Sequence, residues 1–399
     1  MIYLLILWCL FIFVVGMRCS NNNIFSPSVM TGAIWAFTLI LFVTLGSKLP
    51  DLSLNFILCA FLWITGISFG SLYAQSATYR DSKLDKPGTL IRNIYLIASV
   101  LTFPKLIFFA KVAIANGASS NWAWNLRLAA IGQGSGFDEP FGGLFVIIWQ
   151  VSLLMEFLCY ERKKWWRLAL IVFIYAAFGA ITMSKITFLT LFLFGCTIFY
   201  FKKIITLKHL VIGLSVLLVF FLGLQSVRQA IKFSEANENI FVIYMVSNLS
   251  AFDTLEPCST LHFGENTFRF CYAVFYKLGL SNIEPIDTLL KWVEKPIPTN
   301  TYTAMYPYYK DFGIIGLIIF PILMGITYGW LFKKAQKGSN FHILLYAAAA
   351  NIIFMQYAAD LFFTTFFGNV KLFFFLLLPF LASKHNLLVI KDRIQGHGN

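Results

Sequence analysis

The chain has 399 residues, of which 59% are hydrophobic and only 12% charged, with a formal net charge of +13. Soluble domains carry about 25% charged residues, so this composition excludes a soluble globular protein and defines an integral membrane one. The basic excess lies in short clusters beside apolar runs rather than along one face, which marks it as a topology signal and excludes a nucleic-acid surface.

The apolar runs are about 17 to 25 residues long, enough for a helix to cross ~30 Å of hydrocarbon and too long for barrel strands of ~10 residues. The expected fold class is therefore all-α, a polytopic membrane helix bundle forming a single domain over residues 1–399. Residues 1–17 form an apolar stretch with no preceding basic residue, and Arg18-Cys19-Ser20 offers no Ala-x-Ala-like site, so it reads as a short first helix rather than a cleaved signal. Further spans are expected at 29–47, 53–73, 91–114, 141–160, 166–183, 186–201, 208–226, 312–332, 341–358 and 366–383, about eleven in all. Met183-Ser184-Lys185 is a very short connection, so 166–201 is either two spans or one broken helix.

Arginine and lysine fall in alternate connections: Arg18; Arg80, Lys83, Lys86 and Arg92; Arg162, Lys163, Lys164 and Arg167; Lys202, Lys203 and Lys208; Lys333, Lys334 and Lys337; Lys384, Lys391 and Arg393. That set is expected on the cytoplasmic side. Two longer segments then lie outside, a smaller loop at 116–140 and a large one at 227–311. A structureless loop of the latter length is uncommon, so it should hold helices of its own. Residues 240–255, apolar with Asn248, Ser250 and Asp253, suit a helix lying in the interface or folded over the bundle.

The outer segments hold the candidate chemistry. Arg228 ends the span before the large loop, and either binds a phosphate group through paired guanidinium hydrogen bonds or snorkels to anchor the helix end. Arg127 and Arg269 are the other outer arginines, each a ligand contact or a structural ion pair. Lys105 and Lys111 lie within an apolar run after Pro104, where charge is costly and hints at function. Among the outer carboxylates Asp311 stands out: with Pro307 in the first turn of a helix, it sits near the positive helix end, either as a proton acceptor or as dipole compensation. Asn300, Tyr302, Tyr306, Tyr308 and Tyr309 offer an amide and amphipathic rings suited to stacking on sugars, although an interfacial aromatic belt also explains the tyrosines. Gly316 suits close helix approach. Cys258 and Cys271 share a polar segment and either pair in an oxidising compartment or stay reduced. No clustered His/Cys/Asp/Glu motif supplies a metal site, and nucleophile-elbow and phosphate-loop signatures are missing, so no cofactor is expected.

Pro298-Thr-Asn-Thr-Tyr-Thr, then Tyr306-Pro-Tyr-Tyr-Lys-Asp-Phe-Gly313 with Gly316, more loosely Phe263-Gly-Glu-Asn-Thr-Phe268, and an arginine just after the span that precedes the large loop resemble the Wzy-type O-antigen polymerases. The resemblance implies a metal-independent glycosyltransferase of the bacterial inner membrane, GT-C-like, with its active face periplasmic. It implies that a glycan on undecaprenyl pyrophosphate is transferred to a new lipid-linked repeat unit, with a separate chain-length co-polymerase as partner. Under it Arg228 is the first choice for pyrophosphate binding, Arg269 and Arg127 follow, Tyr302 to Asp311 shapes the glycan site, and Asp311 or Glu256 is the base. The family's arginine followed eleven residues later by glycine is missing at Arg127 and Arg228. A lipid-linked oligosaccharide flippase and an O-antigen ligase are the alternatives; no paired repeats favour the flippase.

Overall fold

A computed structural model describes residues 1–46, 49–79, 86–117, 119–130, 143–216, 219, 223, 240–287, 290–293 and 299–383. Helices make up most of these residues, and no strand occurs among them beyond a single antiparallel bridge between Val293 and Thr299. The helices are α1 Ile2–Cys19, α2 Pro27–Leu45, α3 Leu54–Ser76, α4 Thr89–Asn116, α5 Trp122–Ala130, α6 Gly143–Leu158, α7 Trp165–Ile181, α8 Lys185–Phe201 and α9 Leu207–Val216. They continue with α10 Ile240–Asp253, α11 Arg269–Lys277, α12 Tyr306–Gln336, α13 Asn340–Met355 and α14 Phe366–Leu381. Among the described residues six helical stretches are long and apolar enough to cross a membrane: α1 to α4, Arg162–Ile181 and α12. Five shorter apolar helices accompany them: α6, α8, α9, α13 and α14. The protein is a helical membrane protein.

The chain divides into two compact units. The first comprises Met1–Arg80, Asn237–Lys334 and Ala348–Asn369; the second comprises Asp81–Ala236, Ala335–Ala347 and Val370–Asn399. Within the first, α1, α2 and α3 pack on one another, and α10 lies on α2 and α3. Helix α10 thus folds over the bundle, one of the two placements its sequence allowed, and Val246, Leu249 and Phe252 are buried. Helices α3 and α12 meet backbone to backbone: a Cβ on Gly325 would lie 2.3 Å from the Ile67 carbonyl oxygen, and one on Gly70 2.4 Å from that of Ile322. Small residues permit such approach in a membrane, where helices have no hydrophobic drive to associate and rely on close van der Waals contact.

One side chain ties the first unit together. Buried Gln356 accepts, on a single Oε1, the indole N–H of both Trp35 (3.1 Å) and Trp63 (3.0 Å), while its Nε2 donates to Thr31 Oγ1 at 3.0 Å. Its backbone carbonyl accepts the Ala304 N–H at 2.8 Å. These three polar groups are thereby satisfied away from water, as burial demands.

In the second unit α4, α6, α7 and α8 pack together, with α5 on α4. Met183 takes a positive φ of 51°, and the Ser184 hydroxyl accepts the Thr187 N–H to start α8, so the 166–201 region is two helices and not one broken helix. A buried ion cluster joins three helices. Glu156 of α6 accepts Arg92 Nε (2.9 Å) and Nη2 (2.6 Å) from α4, and Arg167 Nε (3.1 Å) and Nη2 (2.8 Å) from α7. Both forks are bidentate, and the carboxylate is only 2% exposed.

Candidate functional site

The first unit gathers most of the sequence-predicted residues around the start of α12. This helix begins at Tyr306, earlier than the run of apolar residues at 312 suggests, because Pro307 fits a first turn that needs no N–H. At Gly313 the backbone leaves helical geometry, with φ 57° and ψ −140°, a region open chiefly to glycine. The break strands carbonyls of the preceding turns, and the loop at 258–259 satisfies them: Cys258 N–H donates to the Tyr309 carbonyl (3.4 Å) and Ser259 N–H to that of Lys310 (3.0 Å). A Cβ on Gly316 would lie 2.4 Å from the Tyr308 carbonyl oxygen, so its smallness serves the fold-back at this break. Cys258 and Cys271 are both free thiols, not a disulfide.

The tyrosines of the block take separate partners. Tyr302 donates its hydroxyl to the Lys291 carbonyl at 3.0 Å, and its ring lies 4.8 Å from that of Tyr306. Burial pushes the Tyr302 hydroxyl above its ordinary pKa, with Tyr306 adding to it. These two rings and Ala251 form a small buried cluster covered by Leu255, Leu290 and Val293. Lys310 reaches the Tyr306 oxygen at 3.4 Å. Tyr309, also buried, accepts a hydrogen bond from Asn55 Nδ2 at 2.6 Å. Asn300 is half-buried beside the Val293–Thr299 bridge.

Asp311 is held by the loop before α11. Its Oδ1 accepts the Asn266 side-chain amide at 2.7 Å and the Asn266 backbone N–H at 3.3 Å, and its Oδ2 accepts the Thr267 N–H at 2.6 Å. Glu256, by contrast, is exposed, in the turn after α10. Arg269 starts α11 and donates its Nε to the Ile286 carbonyl at 2.5 Å. Burial lowers its pKa from the ordinary value, and nearby Asp287 works against that shift. Arg127 lies in the second unit, on α5, where its Nη1 donates to the Thr182 carbonyl at 3.4 Å. Lys105 and Lys111 are exposed on α4, the Lys105 ammonium 4.7 Å above the Phe145 ring. Arg228 lies outside the described residues.

Asp360, which the sequence offers only as one carboxylate among many, is the residue of the block's surroundings that structure brings forward. It is 5% exposed and sits in the connection between α13 and α14. Four donors face it: the N–H groups of Phe362 (3.0 Å), Phe363 (3.1 Å) and Thr364 (3.0 Å), and the Tyr308 hydroxyl (3.0 Å). Burial raises its pKa above the ordinary 3.8 despite these donors. Tyr308 in turn stacks on Trp63 (5.4 Å) and Phe320 (4.8 Å). The available signal was a lone charge just past an apolar run, which in a membrane chain is costly enough to require partners. Among the described residues no group of three or more His, Cys, Asp or Glu could hold a metal ion. Around the start of α12 the tyrosine rings are thus buried, the hydroxyls of Tyr302, Tyr308 and Tyr309 and the Asp311 carboxylate are engaged within the protein, and Glu256 stands exposed in the turn after α10.

The chain is 29% identical over 206 residues to a protein of Shigella dysenteriae named O-antigen polymerase. The match covers 47% of this chain and 50% of that protein, so the chain spans about half the length of the curated relative it matches. No protein-family model and no solved structure matches it.

Proposed function

We propose that the chain polymerises O-antigen repeat units at the periplasmic face of the inner membrane, as a metal-independent glycosyltransferase. The observation that carries this reading is the match to the Shigella dysenteriae O-antigen polymerase. The multi-pass apolar helices and the hydroxyl-rich block at 299–311 agree with it. In this reading the five shorter apolar helices also cross the membrane, giving eleven spans, and the loops at 116–140 and 227–311 are periplasmic.

The acceptor is the non-reducing end of a new lipid-linked repeat unit. Its hydroxyl oxygen attacks the anomeric carbon of the growing glycan, the bond to undecaprenyl pyrophosphate breaks, and the diphosphate leaves with the electron pair. That leaving group is already activated, so the protein's task is to align two lipid-anchored substrates and stabilise the charge growing on the diphosphate. Arg228 is assigned to the diphosphate, with Arg269 and Arg127 as further cations. Of the two candidate bases, exposed Glu256 has accessible lone pairs to take the hydroxyl proton, whereas Asp311 is engaged by Asn266 and Thr267 and orients the block. Asn300, Tyr302, Tyr306 and Tyr309 shape the glycan site, and a chain-length co-polymerase is the proposed protein partner.

Deleting the gene in a strain that makes O-antigen tests the reading on a lipopolysaccharide gel. Loss of the ladder with core plus one repeat retained is expected; core alone would point to a flippase or ligase and overturn it. Arg228→Ala at equal protein level is expected to abolish the ladder and Arg228→Lys to restore part of it, because an ammonium keeps the charge but loses the fork. A normal ladder in the alanine variant would remove Arg228 from the site.

A further inference from the structure

Residues 261–280 carry an apolar surface that the described protein leaves uncovered. Leu261 is 91% exposed, Phe263 79%, Leu278 65% and Leu280 70%, with Phe275 and Tyr276 also exposed. On α11 the apolar residues Cys271, Val274 and Phe275 continue to Leu278 at the i, i+3, i+4, i+7 spacing of one helix face. No residue of this helix is buried.

The segment is nevertheless anchored. Phe270 stacks on Phe366 with ring centroids 4.1 Å apart, Phe268 meets Phe312 and Phe320, and Phe263 packs edge-on against Phe312 at 5.3 Å. Phe312 immediately precedes the Gly313 break, after which Ile314, Ile315, Ile318, Ile319 and Leu323 form the exposed apolar face of a membrane-spanning helix. The uncovered surface of 261–280 is therefore joined to the end of a lipid-facing stripe. Lys277, Asn282 and Glu284 supply exposed polar groups beside it, as an element lying at the boundary between acyl chains and water requires.

We propose that residues 261–280 are a membrane-seated arm whose apolar face, Leu261, Phe263, Phe275, Leu278 and Leu280, inserts into the leaflet at the Gly313 end of α12. Its partner is the bilayer itself. Asp311, through Asn266 and Thr267, ties this arm to the tyrosine block, so the block's height is referenced to the lipid surface.

The test places a fluorescent amino acid at position 278 or, in a second variant, 280 of the full-length chain, reconstituted in bilayers of phosphatidylcholine brominated along its acyl chains. Position 282 serves as the aqueous reference, and gel filtration confirms that each variant is folded. For a face buried ~5–10 Å into the acyl boundary, roughly threefold stronger quenching by the brominated lipid is expected at 278 and 280 than at 282, with the reverse order for aqueous iodide. Lipid quenching at 278 and 280 no stronger than at 282 would overturn the proposal, whether water or protein covers the face. The readout needs no glycan transfer, so it stands or falls apart from the polymerase reading.

Discussion

A carboxylate removed from water is held by the donors around it, and Asp360 has three backbone N–H groups and the Tyr308 hydroxyl. Asp360→Ala leaves those donors unpaired, at about 1–3 kcal/mol for each buried group that finds no water. A loss on the order of 3 kcal/mol is expected, read as a lower thermal midpoint in detergent. Because its pKa is raised above 3.8, the folded state binds this proton more tightly than the unfolded one. The associated stability is present in acid and lost as pH rises from about 4 through the raised value. Asp360→Asn should flatten that slope in a midpoint-against-pH series, and an unchanged slope would assign it to other groups. Glu156 makes the opposite case: Glu156→Gln leaves Arg92 and Arg167 facing each other with one carbonyl between them. Removing one partner from a buried ion cluster costs about 3–5 kcal/mol, so that variant is expected to be recovered poorly folded, by gel filtration.

Among the elements, the contact of α3 with α12 rests on absent side chains. Gly325→Val would drive a Cβ into the Ile67 carbonyl oxygen, which belongs to rigid backbone, and should cost about 1–3 kcal/mol or separate the helices. A cysteine cross-linking series along α3 and α12 would report the separation; unchanged cross-linking with unchanged stability would show that the contact is loose. The helices themselves were legible in the sequence because each long apolar run must satisfy its own backbone in lipid. The start of α12 was legible through Pro307, which marks a first helical turn, but the break at Gly313 and the Cys258 and Ser259 N–H groups that satisfy its carbonyls were not, because they join positions about 51 residues apart. Helix α11 was missed for another reason: its nine residues are too short for a periodicity to stand out from an aromatic-rich loop. Asp311 was legible as a residue of interest, but its hold on Asn266 and Thr267 joins positions 44 and 45 apart, for which local pattern carries no signal. The same holds for Asp360, whose partner Tyr308 is 52 residues away.

For the whole molecule, composition and charge alternation determine what kind of protein this is, while the division into two units is invisible in them. The first unit is assembled from three separate stretches, the last being Ala348–Asn369. Gln356 belongs to that last stretch, and Trp35, whose indole it accepts, lies 321 residues earlier. At about 5–20 residues per second of synthesis, the Trp35 N–H waits on the order of 15–60 s for its acceptor to be made. Through that interval α1 to α3 are in the bilayer with two indole N–H groups of their interior unsatisfied, and the half-built protein must be kept from pairing them with something else. The gene's order thus sets a clock on assembly: α1 to α3 are made well before Gln356 and are locked only after it.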